Sequence, residues 1–130
     1  NFYKGKEGLK TVFEEQLSYP EILIIGASTK VYDILPFYFE WFDKRRKKKK
    51  INVKILAHEK VPDSIKKENV RYLPSSYSNP VSMNIYGDNV AIILLEKQKP
   101  MAIVIKSQEI ADSYRSYFDL MWKIASQKLA

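Results

Sequence analysis

Cysteine is absent from this chain, which excludes disulfides and any thiolate metal site. A single histidine, His58, leaves a transition-metal site to depend on carboxylates, and no pair of them has the spacing such a site needs. No apolar run approaches the roughly 20 residues of a membrane-spanning helix, and no secretory signal pattern opens the chain. No membrane contact is therefore expected, and the lack of cysteine fits an intracellular, cytoplasmic setting. Glycine is scarce as well. The stretch Gly5-Lys6-Glu7-Gly8 is too short to cradle a phosphate and follows no strand. Serines are plentiful, but there is no Gly-x-Ser-x-Gly elbow and only one histidine to serve as a base. No catalytic constellation and no cofactor are expected.

What is present reads as one globular domain over residues 1–130. The length is near the modal domain size, and 45% hydrophobic with 13% aromatic residues is enough for a real core. The chain opens on Asn1 and its first turns already look structural, which predicts a C-terminal fragment of a longer polypeptide. The formal charge of +7 raises the prior for a polyanionic partner. It does so weakly, because two arginines and five lysines lie together between Lys44 and Lys50.

Glycine and proline punctuate the chain. Gly5 and Gly8 mark the start of a helix in which Leu9, Val12, Phe13 and Leu17 recur at helical spacing, and Tyr19-Pro20 stops it. "EILIIG" is a short apolar run ended by glycine and reads as a buried strand. Ser28 then caps a helical region reaching about Lys48, interrupted or restarted at Pro36. In it Ile34, Leu35, Tyr38, Trp41 and Phe42 form one stripe. "INVKIL" is a second strand, "VPDSIKK" a loop or helical turn, and "VRYLP" a third strand stopped by Pro74. Two strand-like runs flank Gly87-Asp88, a tight hairpin turn. After "MAIVI", Ser107 caps a last helix with Glu109 in its first turn. The predicted order is α-β-α-β-(α)-β-β-β-β-α, an α/β fold with a mixed sheet packed by helices.

In such sheets ligands lie beyond the carboxyl ends of parallel strands. Strand one ends at Gly26-Ala27-Ser28, so Ser28 is a ligand or interface candidate beside its plainer role as a helix cap. Arg71, on the third strand, is a second candidate beside the reading as a surface strand residue. The basic run divides in two. On a helix Lys44, Lys47 and Lys48 point away from the aromatic stripe, and cations in a last turn suit the helix dipole. A solvated helix end explains them without nucleic acid. The arginines are explained less well: Arg45 falls beneath the stripe and Arg46 at its edge, and one of them is expected to anchor a carboxylate or a ligand. His58 and Lys60 have the His-x-Lys spacing of a phosphodiesterase, but Ile65 stands where the aspartate belongs and Asp63 comes two residues early.

Taken together, the segments resemble the C-terminal domain of archaeal TrmB-like transcriptional regulators, a phospholipase-D-like fold without the enzyme's catalytic residues. The resemblance covers nearly the whole chain. It is carried by "FYKGKEGLK", "EILIIGAS", "DKRRKKKKINVKIL", "VRYLP", "NIYGDNVAIIL" and "PMAIVIKSQEIADSYRSYFDLMW". It departs at Lys50, where relatives often have glycine, and this leaves the turn conformation open. In the enzymes the His-x-Lys-Asp motif lies on the strand pair matching "PVSMNIYGDNVAIIL". Setting Gly87 or Asp88 at the aspartate puts Ser82 or Met83 at the lysine and Pro80 or Val81 at the histidine. The resemblance therefore implies a non-enzymatic domain that dimerises or senses a small molecule, such as a sugar or an anion. DNA would be bound by a winged helix-turn-helix missing from this chain. By spacing to Ile51, Arg46 matches the family's arginine, which makes it the third candidate contact with Ser28 and Arg71. The contrasting expectations are a phosphodiesterase and a basic nucleic-acid-binding domain.

Overall fold

Apolar residues alternate across a single seven-stranded sheet, and helices cover both of its faces. The computed structural model describes residues 1–77 and 79–129. Its elements are β1 (Phe2–Lys4), α1 (Gly5–Gln16), β2 (Glu21–Ala27), α2 (Lys30–Ile34), α3 (Tyr38–Lys48), β3 (Asn52–Ala57), β4 (Val70–Tyr72), β5 (Val81–Tyr86), β6 (Asn89–Leu94), β7 (Met101–Lys106) and α4 (Gln108–Ile124). The order across the sheet is β1-β7-β6-β5-β2-β3-β4. β2 is the seam: it pairs parallel with β3 and antiparallel with β5. On one side of it lies a short parallel block, on the other an antiparallel meander.

The strand run "EILIIG" is apolar throughout because both faces are covered. Ile22 packs under α1 and α3 with Leu9, Val12, Phe13, Phe42, Val53 and Ile55. Its neighbour Leu23 faces the other way, joining Leu56, Ile85, Val90, Ala111 and Phe118 beneath α4. The β5–β6 hairpin turns at Gly87-Asp88 as expected, with Gly87 at φ +57. Ser107 caps α4, its hydroxyl accepting from the Ile110 N–H at 3.3 Å. The break at Pro36 is also found, since α2 ends at Ile34 and α3 starts at Tyr38.

Several expectations are corrected. β1 was not foreseen: three residues are too few for a periodic signal, and the strand forms by pairing antiparallel with β7, about a hundred residues away. Gly8 is not at the boundary of α1 but inside it. A Cβ there would lie 2.9 Å from the Tyr3 carbonyl carbon, so glycine lets the helix fold back against β1. Trp41 leaves the buried stripe and is 54% exposed, while Ile34, Leu35 and Phe42 remain inside. "VPDSIKK", by contrast, is a loop with turns as expected, and its last residue opens a one-turn 3-10 helix, Lys67–Asn69. Lys50 takes the left-handed conformation itself, at φ +58. It follows the last turn of α3 in a Schellman arrangement: its N–H donates to the Lys47 carbonyl and the Ile51 N–H to that of Arg46.

Candidate functional site

Between α3 and the sheet lies a cavity of about 70 Å³. Its walls are apolar. Phe13, Phe39 and Phe42 meet with ring centroids 5.1 to 5.4 Å apart, and Ile22, Ile24 and Ile55 form the floor. Pro62 and Ile65 of the loop after β3 supply its rim. Into this apolar shell the fold sends six polar side chains: Gln16, Ser28, Asp43, Arg46, Ser82 and Asn84. All six are buried.

Ser28 stands on the turn after β2, and the other five arrive there by periodicity. Gln16 continues the Leu9, Val12, Phe13 stripe of α1, so a polar group falls on the apolar face. Ser82 and Asn84 share a face of β5 with Tyr86, opposite Met83 and Ile85. The three side chains link across the cavity wall. The Ser82 hydroxyl donates to Asn84 Oδ1 at 2.9 Å, and Asn84 Nδ2 donates to Gln16 Oε1 at 3.0 Å. Asp43 and Arg46 stand one turn apart on α3 with Arg46 Nε 3.5 Å from Asp43 Oδ1. Asp43 Oδ2 also accepts from the Tyr32 hydroxyl at 2.8 Å and the Ser64 hydroxyl at 3.2 Å. Burial, and then the bond to Asp43, push the Tyr32 hydroxyl well above its ordinary range, so it stays a donor. Two donors are left over: Gln16 Nε2 and Arg46 Nη2 are buried and donate to no protein group among the described residues.

Of the candidates read from the sequence, Ser28 and Arg46 come together here. Ser28 also acts as a turn cap, its oxygen accepting from the Lys30 N–H at 3.1 Å. Arg71 lies on the opposite face. Its Nη1 donates to the Trp122 carbonyl at 2.6 Å and its guanidinium sits 4.7 Å from the Trp122 ring, clamping the end of α4 to the edge strand β4. Arg45 is outside the cavity too, stacked at 3.6 Å on Trp41 and paired with Glu14. That pairing holds the Glu14 carboxyl below the usual range. His58 does not line the cavity; its Nδ1 lies 3.2 Å from the Pro74 carbonyl oxygen. Gln16, Asp43, Ser82 and Asn84 were missed. Their signal was a polar residue falling on an apolar stripe or on the inward face of a strand. Lysines 47 to 50 are all exposed. Lys47, Lys50 and Lys66 line an open basic cleft that abuts the cavity, with Arg46 as the shared wall.

Among the described residues no cluster of three or more His, Asp or Glu side chains could hold a metal ion, and no helix is long and apolar enough to cross a membrane. No protein-family model matches the sequence, and no curated protein matches it either. Solved structures do share its architecture. TrmBL2, an archaeal chromatin protein with a novel mode of DNA binding, superposes with a TM-score of 0.63 at 14% identity, over 98% of this chain and 54% of that one. The chain thus spans about half the length of TrmBL2. Nuc, a phospholipase D family member from Salmonella typhimurium, superposes with a TM-score of 0.66 at 15% identity, over 100% of this chain and 97% of that one. NucT from Helicobacter pylori gives 0.66 at 13% identity, over 97% and 99%. With a mixed sheet of this order between helical layers, and with these neighbours, the chain has the phospholipase-D-like fold.

Proposed function

We propose that this chain is a regulatory domain of a TrmB-like transcriptional regulator, sensing a small effector, dimerising, or both, and that it does not hydrolyse phosphodiesters. The observation that carries the reading is the cavity. It is apolar, ringed by buried polar groups with two free donors, and lined by neither an imidazole nor an ammonium group. Phosphoryl transfer through a covalent histidine needs a nucleophilic imidazole beside a cation. On β5 the side chains facing the cavity are Ser82, which donates to Asn84, and Asn84, which donates to Gln16. The resemblance to TrmB-like regulators adds the partners: a second copy of this chain, and DNA through a winged helix upstream. Effector binding would act by population shift, favouring one arrangement of the DNA-binding heads through its differential affinity for two states.

Incubation with bis(p-nitrophenyl) phosphate tests the non-enzymatic part. No turnover is expected, and turnover abolished in His58→Ala would overturn the reading. A thermal-shift screen across metabolites together with light scattering tests the rest. A concentration-independent monomer that no metabolite stabilises would count against it. One observation favours a second reading. The basic cleft of Lys47, Lys50 and Lys66 can take a polyanion, and non-specific DNA binding there would fall steeply with salt. Neutralising the three lysines together should then flatten the salt slope by about 0.9 per lost phosphate contact.

A further inference from the structure

Two buried side chains that line the cavity beneath α3 each carry a hydrogen-bond donor with no protein acceptor among the described residues. Gln16 Oε1 accepts from Asn84, Asn84 Oδ1 from Ser82, and Asp43 Oδ2 from Tyr32 and Ser64. Gln16 Nε2 and Arg46 Nη2, on residues 1% and 7% exposed, donate to no protein group among the described residues. A buried unsatisfied donor costs about 1–3 kcal/mol, more if charged, so an occupant that accepts from both recovers free energy the bare protein forgoes. Water can accept from these donors too, so a ligand must displace it through a charge-assisted bond to Arg46.

The occupant's charge and size follow from the surroundings. Arg46 and Asp43 nearly cancel, but Lys47, Lys50 and Lys66 lie just beyond Arg46 and favour an anion. Two acceptor oxygens in one plane suit a guanidinium edge. Phe13, Phe39 and Phe42 offer an apolar seat for whatever lies behind them. About 70 Å³ is under half of the roughly 150 Å³ cavity known to take benzene, which limits the whole occupant, carboxylate included, to about three or four heavy atoms. We propose that this cavity binds an acetate-sized monocarboxylate, its carboxylate accepting from Arg46 Nη2 and Gln16 Nε2 and its carbon end resting against the three phenylalanines. This rests on the effector-sensing reading above and gives it a ligand class.

The test is titration of the 130-residue chain with formate and acetate, followed by calorimetry and by the side-chain amide resonances of Gln16. Inorganic phosphate, glycerol and propylamine serve as comparison probes. The expected result is saturable binding of the carboxylates with movement of the Gln16 amide signals. Gln16→Met and Arg46→Lys should each weaken it about tenfold or more, the worth of one charge-assisted hydrogen bond. Arg46→Lys keeps the charge opposite Asp43, so it guards against a Gln16→Met variant that fails to fold. Carboxylate binding that leaves the Gln16 signals unmoved, or that phosphate matches, overturns the proposal. Binding of glycerol or propylamine in place of the carboxylates also overturns it, yet leaves the effector-sensing reading standing. If no probe binds and no metabolite stabilises the chain, both fail.

Discussion

The Asp43–Arg46 pair should be the most expensive single contact to break in this domain. Both side chains are about nine-tenths buried, at 11% and 8% exposure, so neither can turn to water when its partner is removed. Asp43→Leu leaves a buried guanidinium without its carboxylate and also strips the Tyr32 and Ser64 hydroxyls of their shared acceptor. Losing one member of a buried pair costs about 3–5 kcal/mol. Arg46→Met should cost toward the lower end, because Asp43 keeps the two hydroxyl donors. The double variant Asp43→Leu/Arg46→Met removes both charges and should cost at least about 2 kcal/mol less than the sum of the singles. For 130 residues the unfolding entropy is roughly 0.27 kcal/mol/K, so 3–5 kcal/mol lowers Tm by about 11–18 °C. Urea titrations at pH 7, with slopes compared to confirm two-state unfolding, would measure the cycle. Singles that each cost under about 1 kcal/mol, or that add to the double within about 0.5 kcal/mol, would refute the reasoning.

Three further outcomes are expected. Lys50→Gly should stabilise by about 0.5–1 kcal/mol, since glycine adopts the left-handed conformation after α3 without a Cβ clash; chemical denaturation reads this directly. Gly87→Ala should destabilise by about 2 kcal/mol or more. Its added Cβ would sit 2.2 Å from the Tyr19 ring in a left-handed turn, and moving the ring strains the Tyr19 hydroxyl's bond to Asn89. The Glu14–Arg45 pair should matter only above the acidic range. The carboxyl is lowered in the folded state, so its contribution is present above the unfolded value near pH 4.3 and lost as pH falls through the folded value. Glu14→Gln should therefore cost about 0.2–1 kcal/mol at neutral pH, and thermal melts should converge with the parent at low pH.

Local patterns carried most of the fold to the eye. The Gly87-Asp88 turn, the Ser107 cap and the Pro36 break each depend on residues within a few positions of one another. β1 and the tolerance of Gly8 do not. Both require knowing that the first residues return to β7, which no window of neighbouring residues contains. The site behaved likewise. Arg46 drew notice because its neighbours were conspicuous, whereas Gln16 and Asn84 meet only through a contact spanning 68 positions. Arg71 was placed on the right strand, but alternation carries its side chain to the α4 face.

The seam at β2 also orders events in time. The β5–β6–β7 meander closes loops of only a few residues, whereas the Lys4–Met101 pairing of β1 with β7 closes nearly a hundred. On a logarithmic scale that difference is worth about 2.5 kcal/mol of closure entropy, so the meander can assemble long before β1 arrives. Until it does, β7 is a bare edge presenting Ile103, which remains 42% exposed even in the finished sheet. An edge left open late in folding is a template for another chain. Removing Phe2–Lys4 should therefore raise aggregation during refolding, which light scattering would register.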